Sequence, residues 1–359
     1  MVDWLVVLRF ASWFALLAAW LKLGEERAAL DWSSHPRQVA GLGELPSQEA
    51  MQRTRPFTQQ RIYGMGFIVI VLMIIFGIHS AFVFIVWGPK LWAPDAAAVL
   101  FVYHIFFVNL LASFYQCVMT DPGVVPPNWG FYMGDETKRR RYCKMCNVWK
   151  PDRTHHCSIC NRCILNMDHH CPWINNCVGF YNRKFFIQLL SYVYLSLILV
   201  VLFSIPEMYW RGVELTRAPN KYGESTFYCL ETIFLALAFC MAMLLICTLT
   251  NFIRFHMKLV LENYTTIENL EREEGAKSKF DIGRRRNWEQ VFGQNPWMWW
   301  IPFHTQASRP IGDGVRWRVH YTRVIDEDEE LPADEEGMSQ ASRLLNQGNA
   351  GSANRSTGR

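Results

Sequence analysis

Residues 141–186 read RYCKMCNVWKPDRTHHCSICNRCILNMDHHCPWINNCVGFYNRKFF, and the rest of the chain is organised around them. Seven of the eleven cysteines and four of the ten histidines fall in this stretch. They stand as Cys143-x2-Cys146, His156-Cys157-x2-Cys160-x2-Cys163, His170-Cys171 and Cys177. Thiolate and imidazole at such spacings are the donor set of structural zinc. Disulfides are the rival reading, but they suit secreted or lumenal domains and give adjacent His-Cys pairs no role. A closed tetrahedral site takes four ligands, and this stretch holds more donors than two such sites need. Neighbours such as His156 and Cys157 point different ways and most easily serve different ions. An interleaved arrangement follows, with Cys143, Cys146, His156 and Cys163 on one ion and Cys157, Cys160, His170 and Cys177 on the other.

The donors left over are His155, His169 and Cys171, with Asp168 beside the last two. A thiol, an imidazole and a carboxylate outside a metal site make a nucleophile, a base and an orienting group. Spacing alone leaves His169 and His170 interchangeable between zinc and base. The runs KPDRTHHC, MDHHCPW and NNCVGF resemble the DHHC family of protein S-acyltransferases, the palmitoyltransferases. The resemblance assigns His170 to zinc and His169 to the base, with Cys171 as nucleophile and Asp168 as orienter. It implies acyl-CoA, palmitoyl-CoA above all, as co-substrate and cysteine-bearing, membrane-associated proteins as acceptors. It also implies that basic Lys150, Arg153 and His155 meet the CoA phosphates, where the bland alternative is a solvated basic face.

The membrane enters through four long apolar runs, 65–88, 97–119, 186–206 and 229–252, with Pro206 read as the end of the third. Each is long enough to cross about 30 Å of hydrocarbon at about 1.5 Å per residue. The polar residues embedded in them, His79, His104, Asn109 and Glu231, are read as helix-to-helix hydrogen-bonding groups. Ser196, three turns into the third run, is expected to border a cavity for the acyl chain. Ten Lys and Arg residues lie between Lys138 and Lys184, and the region beyond the fourth run is also basic. The positive-inside bias therefore puts both on the cytosolic side. Residues 1–23 are apolar but carry Asp3, Arg9 and Lys22, which reads as an extra membrane-associated helix, spanning or interfacial.

Three further segments complete the reading. Thr120-Asp121-Pro122-Gly123 is a turn at a span exit and matches the family's Asp-Pro-Gly motif. Thr265-Thr266-Ile267-Glu268 is at once a capping box and the family's TTxE motif, which the resemblance has bracing the zinc module against the spans. Asn287 with Val291-Phe292-Gly293 resembles the family's C-terminal segment, whose Asn contacts the membrane domain. The aromatic and basic run FDIGRRRNWEQVFGQNPWMWWIPF suits an anionic lipid interface rather than nucleic acid. No internal repeat is read in the chain.

The expectation is an α-helical polytopic membrane protein with four core transmembrane helices and a cytosolic two-zinc cysteine-rich domain. Its parts are 1–63, an N-terminal membrane-associated helix and polar loop; 64–119, the first two spans; and 120–185, the zinc domain. Then come 186–252, the last two spans; 253–323, a cytosolic C-terminal region; and 324–359, a disordered acidic and polar tail. Expected partners are the bilayer, acyl-CoA and protein substrates, with a homodimer left open and nucleic acid excluded. The expected location is the Golgi or ER, with vacuole or plasma membrane as alternatives. The rival function is a non-catalytic, membrane-anchored zinc-binding adaptor, which needs the zinc ligands but not Asp168, His169 and Cys171. A transporter would call for more charged or broken helices at membrane depth.

Overall fold

Four long apolar helices carry the chain. The computed structural model describes residues 59–318 apart from 128, 131–140, 218–225 and 274. The expected N-terminal helix within 1–23 and the acidic tail from 324 lie outside the described residues. Helix α1 (Gln59–Ser80) is prolonged by a wider π-type turn, Ala81–Val86. Helix α2 covers Pro94–Met119, α3 Arg183–Arg217 and α4 Thr226–Leu261. All four are long and apolar enough to cross a membrane, and the protein is an integral membrane protein. Large apolar side chains such as Phe101, Leu237 and Leu244 face outward. In water such a surface is a liability, whereas against lipid it is the expected solvent contact.

Helix α3 is the centre of the bundle and packs along both α2 and α4. It corrects one expectation, because it runs straight through Pro206 to Arg217. Proline deletes one backbone N–H, a loss that membrane helices tolerate. Beyond it, Glu207 pairs with Arg211 one turn on at 3.0 Å, which supports the continued helix. The embedded polar groups behave as packing groups. His79 reaches the Tyr103 hydroxyl of α2 at 3.3 Å and stacks on Phe107. His104 and Asn109 bond carbonyls of their own helix, and Glu231 faces Arg211 at 3.6 Å.

Between α2 and α3 lie three antiparallel hairpins: β1 (Tyr142–Cys143) with β2 (Val148–Trp149), β3 (His155–Cys157) with β4 (Arg162–Ile164), and β5 (His169–Cys171) with β6 (Asn176–Val178). Strands of two or three residues do not persist by themselves, so something else must hold them.

Part of the hold comes from the junction with the membrane helices. Asn176 donates to the carbonyls of Cys117, Val118 and Thr120, capping the last turn of α2. Asp121 accepts from Gly123 N–H and pairs with Arg162 at 2.7 Å, so the Asp-Pro-Gly turn is structural. A side chain at Gly179 would meet Pro122 O at 2.7 Å and Leu165 O at 2.9 Å, so only glycine lets the third hairpin lie against the second.

The segment after α4 folds back over this module. Helix α5 (Thr266–Glu271) starts in a complete capping box, with Thr265 Oγ1 accepting from Glu268 N–H and Glu268 accepting from Thr265 N–H. Helix α6 (Arg284–Phe292) follows. Asn287, on α6, donates to Leu261 O at the end of α4, the contact the resemblance implied. The chain then runs along α3: Lys184 donates to Phe303 O, Gln188 to Trp299 O and Tyr192 to Trp300 O.

Candidate active site

The three hairpins are copies of one unit. Cys143, Cys157 and Cys171 are spaced fourteen residues apart, as are the turn residues Asn147, Asn161 and Asn175. All three asparagines adopt left-handed backbone, with φ of 55°, 50° and 47°, a conformation Asn tolerates better than most residues. This repeat was not read in the sequence, because its ligand letters change from copy to copy.

The repeat explains the interleaving. In each of the second and third hairpins a histidine faces a cysteine directly across the ladder, His156 opposite Cys163 and His170 opposite Cys177. Each such pair is completed by the turn cysteines of the preceding hairpin. Two tetrads result, Cys143, Cys146, His156 and Cys163, and Cys157, Cys160, His170 and Cys177. Within the first, His156 Nδ1 lies 3.6 and 3.1 Å from the sulfurs of Cys143 and Cys146. Within the second, His170 Nδ1 lies 3.6, 3.5 and 3.6 Å from Cys157, Cys160 and Cys177. Zn–N bonds of about 2.0 Å and Zn–S bonds of about 2.3 Å give tetrahedral edges close to these separations. Each tetrad fits one zinc ion, and four protein donors would leave it no open position, the form of a structural rather than a catalytic site. None of the eleven cysteines is in a disulfide.

The third hairpin departs from the unit at one place. Where the first two turns have a second cysteine, Cys146 and Cys160, the third has Ile174. Ile174 is buried in the apolar cluster formed with Ile68, Leu72, Leu189 and Leu190 of the membrane helices. A side chain at Gly64 of α1 would clash with Asn175, so that turn sits directly on the helix. Cys171 therefore occupies the position of a zinc cysteine in a copy that assembles no third tetrad. It is 7% exposed and belongs to the same apolar cluster.

Strand alternation then separates the two histidines. His169 and Cys171 share one face of β5, while His170 points the other way into the second tetrad. His169 Nδ1 lies 2.7 Å from Asp168 Oδ2, and Cys171 is its neighbour on the same face of β5. A carboxylate only accepts, so Nδ1 carries the proton and Nε2 is left for sulfur. Burial by itself lowers the His169 pKa, but the Asp168 hydrogen bond and the neighbouring Cys171 thiol outweigh it and raise the pKa to about 9.

Asp168 is fully buried, which by itself raises its pKa. Arg183 and the His169 bond outweigh that and hold the carboxyl well below the usual carboxylate range. Its two oxygens accept from Thr266 N–H at 3.0 Å and Thr266 O–H at 2.7 Å, with Arg183 at 3.4 Å. The TTxE segment thus does what both readings asked, capping α5 and gripping the site.

The three basic residues expected at CoA differ in their surroundings. Lys150 and His155 are half-buried near the first tetrad. Arg153 is buried: it makes a bidentate pair with Glu268 at 2.8 Å and donates to Asn263 at 2.8 Å. Its guanidinium also lies 4.5 Å from the ring centres of both Phe280 and Trp317. With its donors used internally, Arg153 is a brace rather than a phosphate ligand. Two residues of the site carried no sequence signal as such: Arg183, counted only as a cytosolic charge, and His256 on α4, whose Nδ1 is 3.9 Å from Asp168 Oδ2.

A thiol beside an imidazole that a buried carboxylate holds, on a module with two zinc-type tetrads at the end of an apolar helix bundle, is the arrangement of a membrane-embedded thiol acyltransferase. Residues 136–273 match the DHHC palmitoyltransferase domain. The probable protein S-acyltransferase 14 of Arabidopsis thaliana is 35% identical over 276 residues, covering 68% of this chain and 87% of that protein. Palmitoyltransferase ZDHHC15 of Rattus norvegicus is 31% identical, covering 69% and 80% respectively. The chain belongs to the DHHC palmitoyltransferase family. Its activity is protein S-palmitoylation, with acyl-CoA as co-substrate.

Proposed function

We propose that Cys171 carries the acyl group in a two-step transfer, with His169 moving the proton and Asp168 orienting it. In the first step the Cys171 sulfur attacks the thioester carbonyl of a long-chain acyl-CoA. A new S–C bond forms, the CoA S–C bond breaks, and His169 returns its proton to the departing CoA thiolate. In the second step an acceptor cysteine gives its proton to His169 and attacks the acyl-Cys171 thioester, releasing the Cys171 sulfur. This is ping-pong chemistry through a covalent intermediate. The two tetrads would hold zinc that pins the hairpins; with three thiolates on each ion they would carry no positive charge to lend, so the imidazolium of His169 is the cation beside the Cys171 thiolate. Asp168 stabilises the charged imidazole at each proton transfer.

The observation that carries this reading is the position of Cys171. It lies outside both tetrads, on the same strand face as His169, and belongs to the apolar cluster that joins the zinc module to α1, α2 and α3, the side from which an acyl chain would reach it. Ser196 is buried on α3, in the same bundle. Ser196→Phe is expected to shift the acyl preference toward shorter chains, read by chain-length profiling of the acyl-enzyme. An unchanged profile rejects that assignment.

Lys150 and His155 remain the residues proposed to meet the CoA phosphates. Replacing both with Gln is expected to raise the acyl-CoA KM several-fold with kcat unchanged. The zinc module and the region after α4 are placed on the cytosolic side of the Golgi or ER membrane. The charge bias and the reducing conditions that zinc thiolates need support this.

The deciding experiment incubates purified wild type and Cys171→Ser with a clickable palmitoyl-CoA analogue and scores hydroxylamine-sensitive label. Label on wild type alone is the expected result. Label on both proteins moves the acyl carrier to another cysteine. No label on zinc-replete wild type favours the adaptor reading.

A further inference from the structure

His256 sits near the cytosolic end of α4, and neither zinc tetrad uses it. It is 3% exposed. Three phenylalanines enclose its ring edge-on: Phe252 at 4.4 Å, Phe186 at 5.1 Å and Phe255 at 5.3 Å between centroids. Phe186 also packs edge-on against His169 at 5.2 Å, and the two histidine rings are 5.6 Å apart. Burying an imidazole among aromatic rings is unfavourable unless its polar edge finds a partner. Here that edge faces Asp168, with Nδ1 3.9 Å from the same Oδ2 that accepts from His169.

We propose that His256 is a positioning residue for the acyl transfer, fixing the Asp168–His169 pair from the membrane side. The proposal rests on the roles assigned above to Cys171, His169 and Asp168. Asp168 is held by the third hairpin through His169, by the turn before α5 through Thr266, and by α3 through Arg183. His256 adds the fourth side, from α4.

During turnover His169 gains and loses a proton twice, and each change alters its pull on Asp168. A carboxylate with a free side would rotate toward water or toward Arg183 whenever His169 is neutral. The polar edge of His256, 3.9 Å from Oδ2, and a wall of phenylalanine rings close that side. His169 Nε2 then stays aimed at Cys171 through both steps. Because His256 touches neither donor nor acceptor, its effect falls on the rate of the chemical step and not on acyl-CoA binding.

The test compares full-length His256→Gln, which keeps an N–H donor, with His256→Leu, which keeps the volume but not the donor. Wild type and Cys171→Ser run beside them. Quenched-flow autoacylation is measured against palmitoyl-CoA concentration, together with zinc content and melting temperature. The expected result is a maximal rate roughly tenfold lower for His256→Leu, the size of effect that outer supporting groups have. Its half-saturating concentration stays at the wild-type value, and His256→Gln recovers most of the loss.

Equal rates in the two variants overturn the proposal, as does a Leu variant faster than Gln, which would mean that only packing matters. A change confined to the half-saturating concentration also overturns it. If His256→Leu binds fewer than two zinc ions per chain, His256→Met replaces it under the same criteria. Absence of label on wild type is a different failure, that of Cys171 as carrier.

Discussion

Asp168, at 1% side-chain exposure, keeps its charge out of water only because His169, Thr266 and Arg183 surround it. Asp168→Asn keeps the shape but turns an acceptor toward His169 into an amide that can select the wrong tautomer. The expected result is autoacylation slower by about a hundredfold or more, the range of a lost acid–base function, with both zinc ions retained. Single-turnover labelling and metal analysis check it together. Arg153 carries a different expectation. It is buried against Glu268, and breaking a buried pair from one side costs about 3 kcal/mol or more. Arg153→Met should therefore lower the melting temperature while leaving the acyl-CoA KM unchanged. A raised KM in a stable variant would restore it to the phosphate-binding role that the sequence implied.

The hairpins are the elements that cannot stand unaided. Each has two or three residues per strand, and their cross-links are the cysteine and histidine side chains. Metal binding is in that case folding free energy. Purified protein should hold two zinc ions per chain, measured by elemental analysis. Strong chelation should abolish autoacylation and shift the fluorescence of Trp149 and Trp173, while far-UV circular dichroism keeps the helical signal of the spans. Loss of metal with full activity would contradict the structural role of the tetrads. The same scale explains why the nucleophile is available. The third copy of the fourteen-residue unit substitutes Ile174 for a turn cysteine, so no set of four donors forms around Cys171.

At the scale of the described molecule, the segment from Trp299 to Phe303 lies along α3 and accepts from Lys184 Nζ and Gln188 Nε2 through backbone carbonyls. Deleting residues 295–318 would strand those buried polar groups, each at about 1–3 kcal/mol. A lower melting temperature and weaker autoacylation are expected, and a fully stable truncation would refute the brace. Trp297, 84% exposed, projects from the same turn and is free for the membrane interface. The spans, the zinc ligand types and the acidic-imidazole-thiol run were legible in the sequence because each is a local pattern, set by hydrophobic length or donor spacing. The end of α3 was misplaced because proline was weighed without the membrane that tolerates it. The burial of Arg153, the fourteen-residue repeat with its missing cysteine, and the convergence of His256, Arg183 and Thr266 on Asp168 belong to the tertiary structure. Thr266 lies 98 residues from Asp168 in sequence. Contacts at that range follow from how helices and hairpins pack, and no local periodicity encodes them. By itself the sequence determined the chemistry and the membrane; only the packing of α3, α4 and the third hairpin decided which side chains hold that chemistry in place.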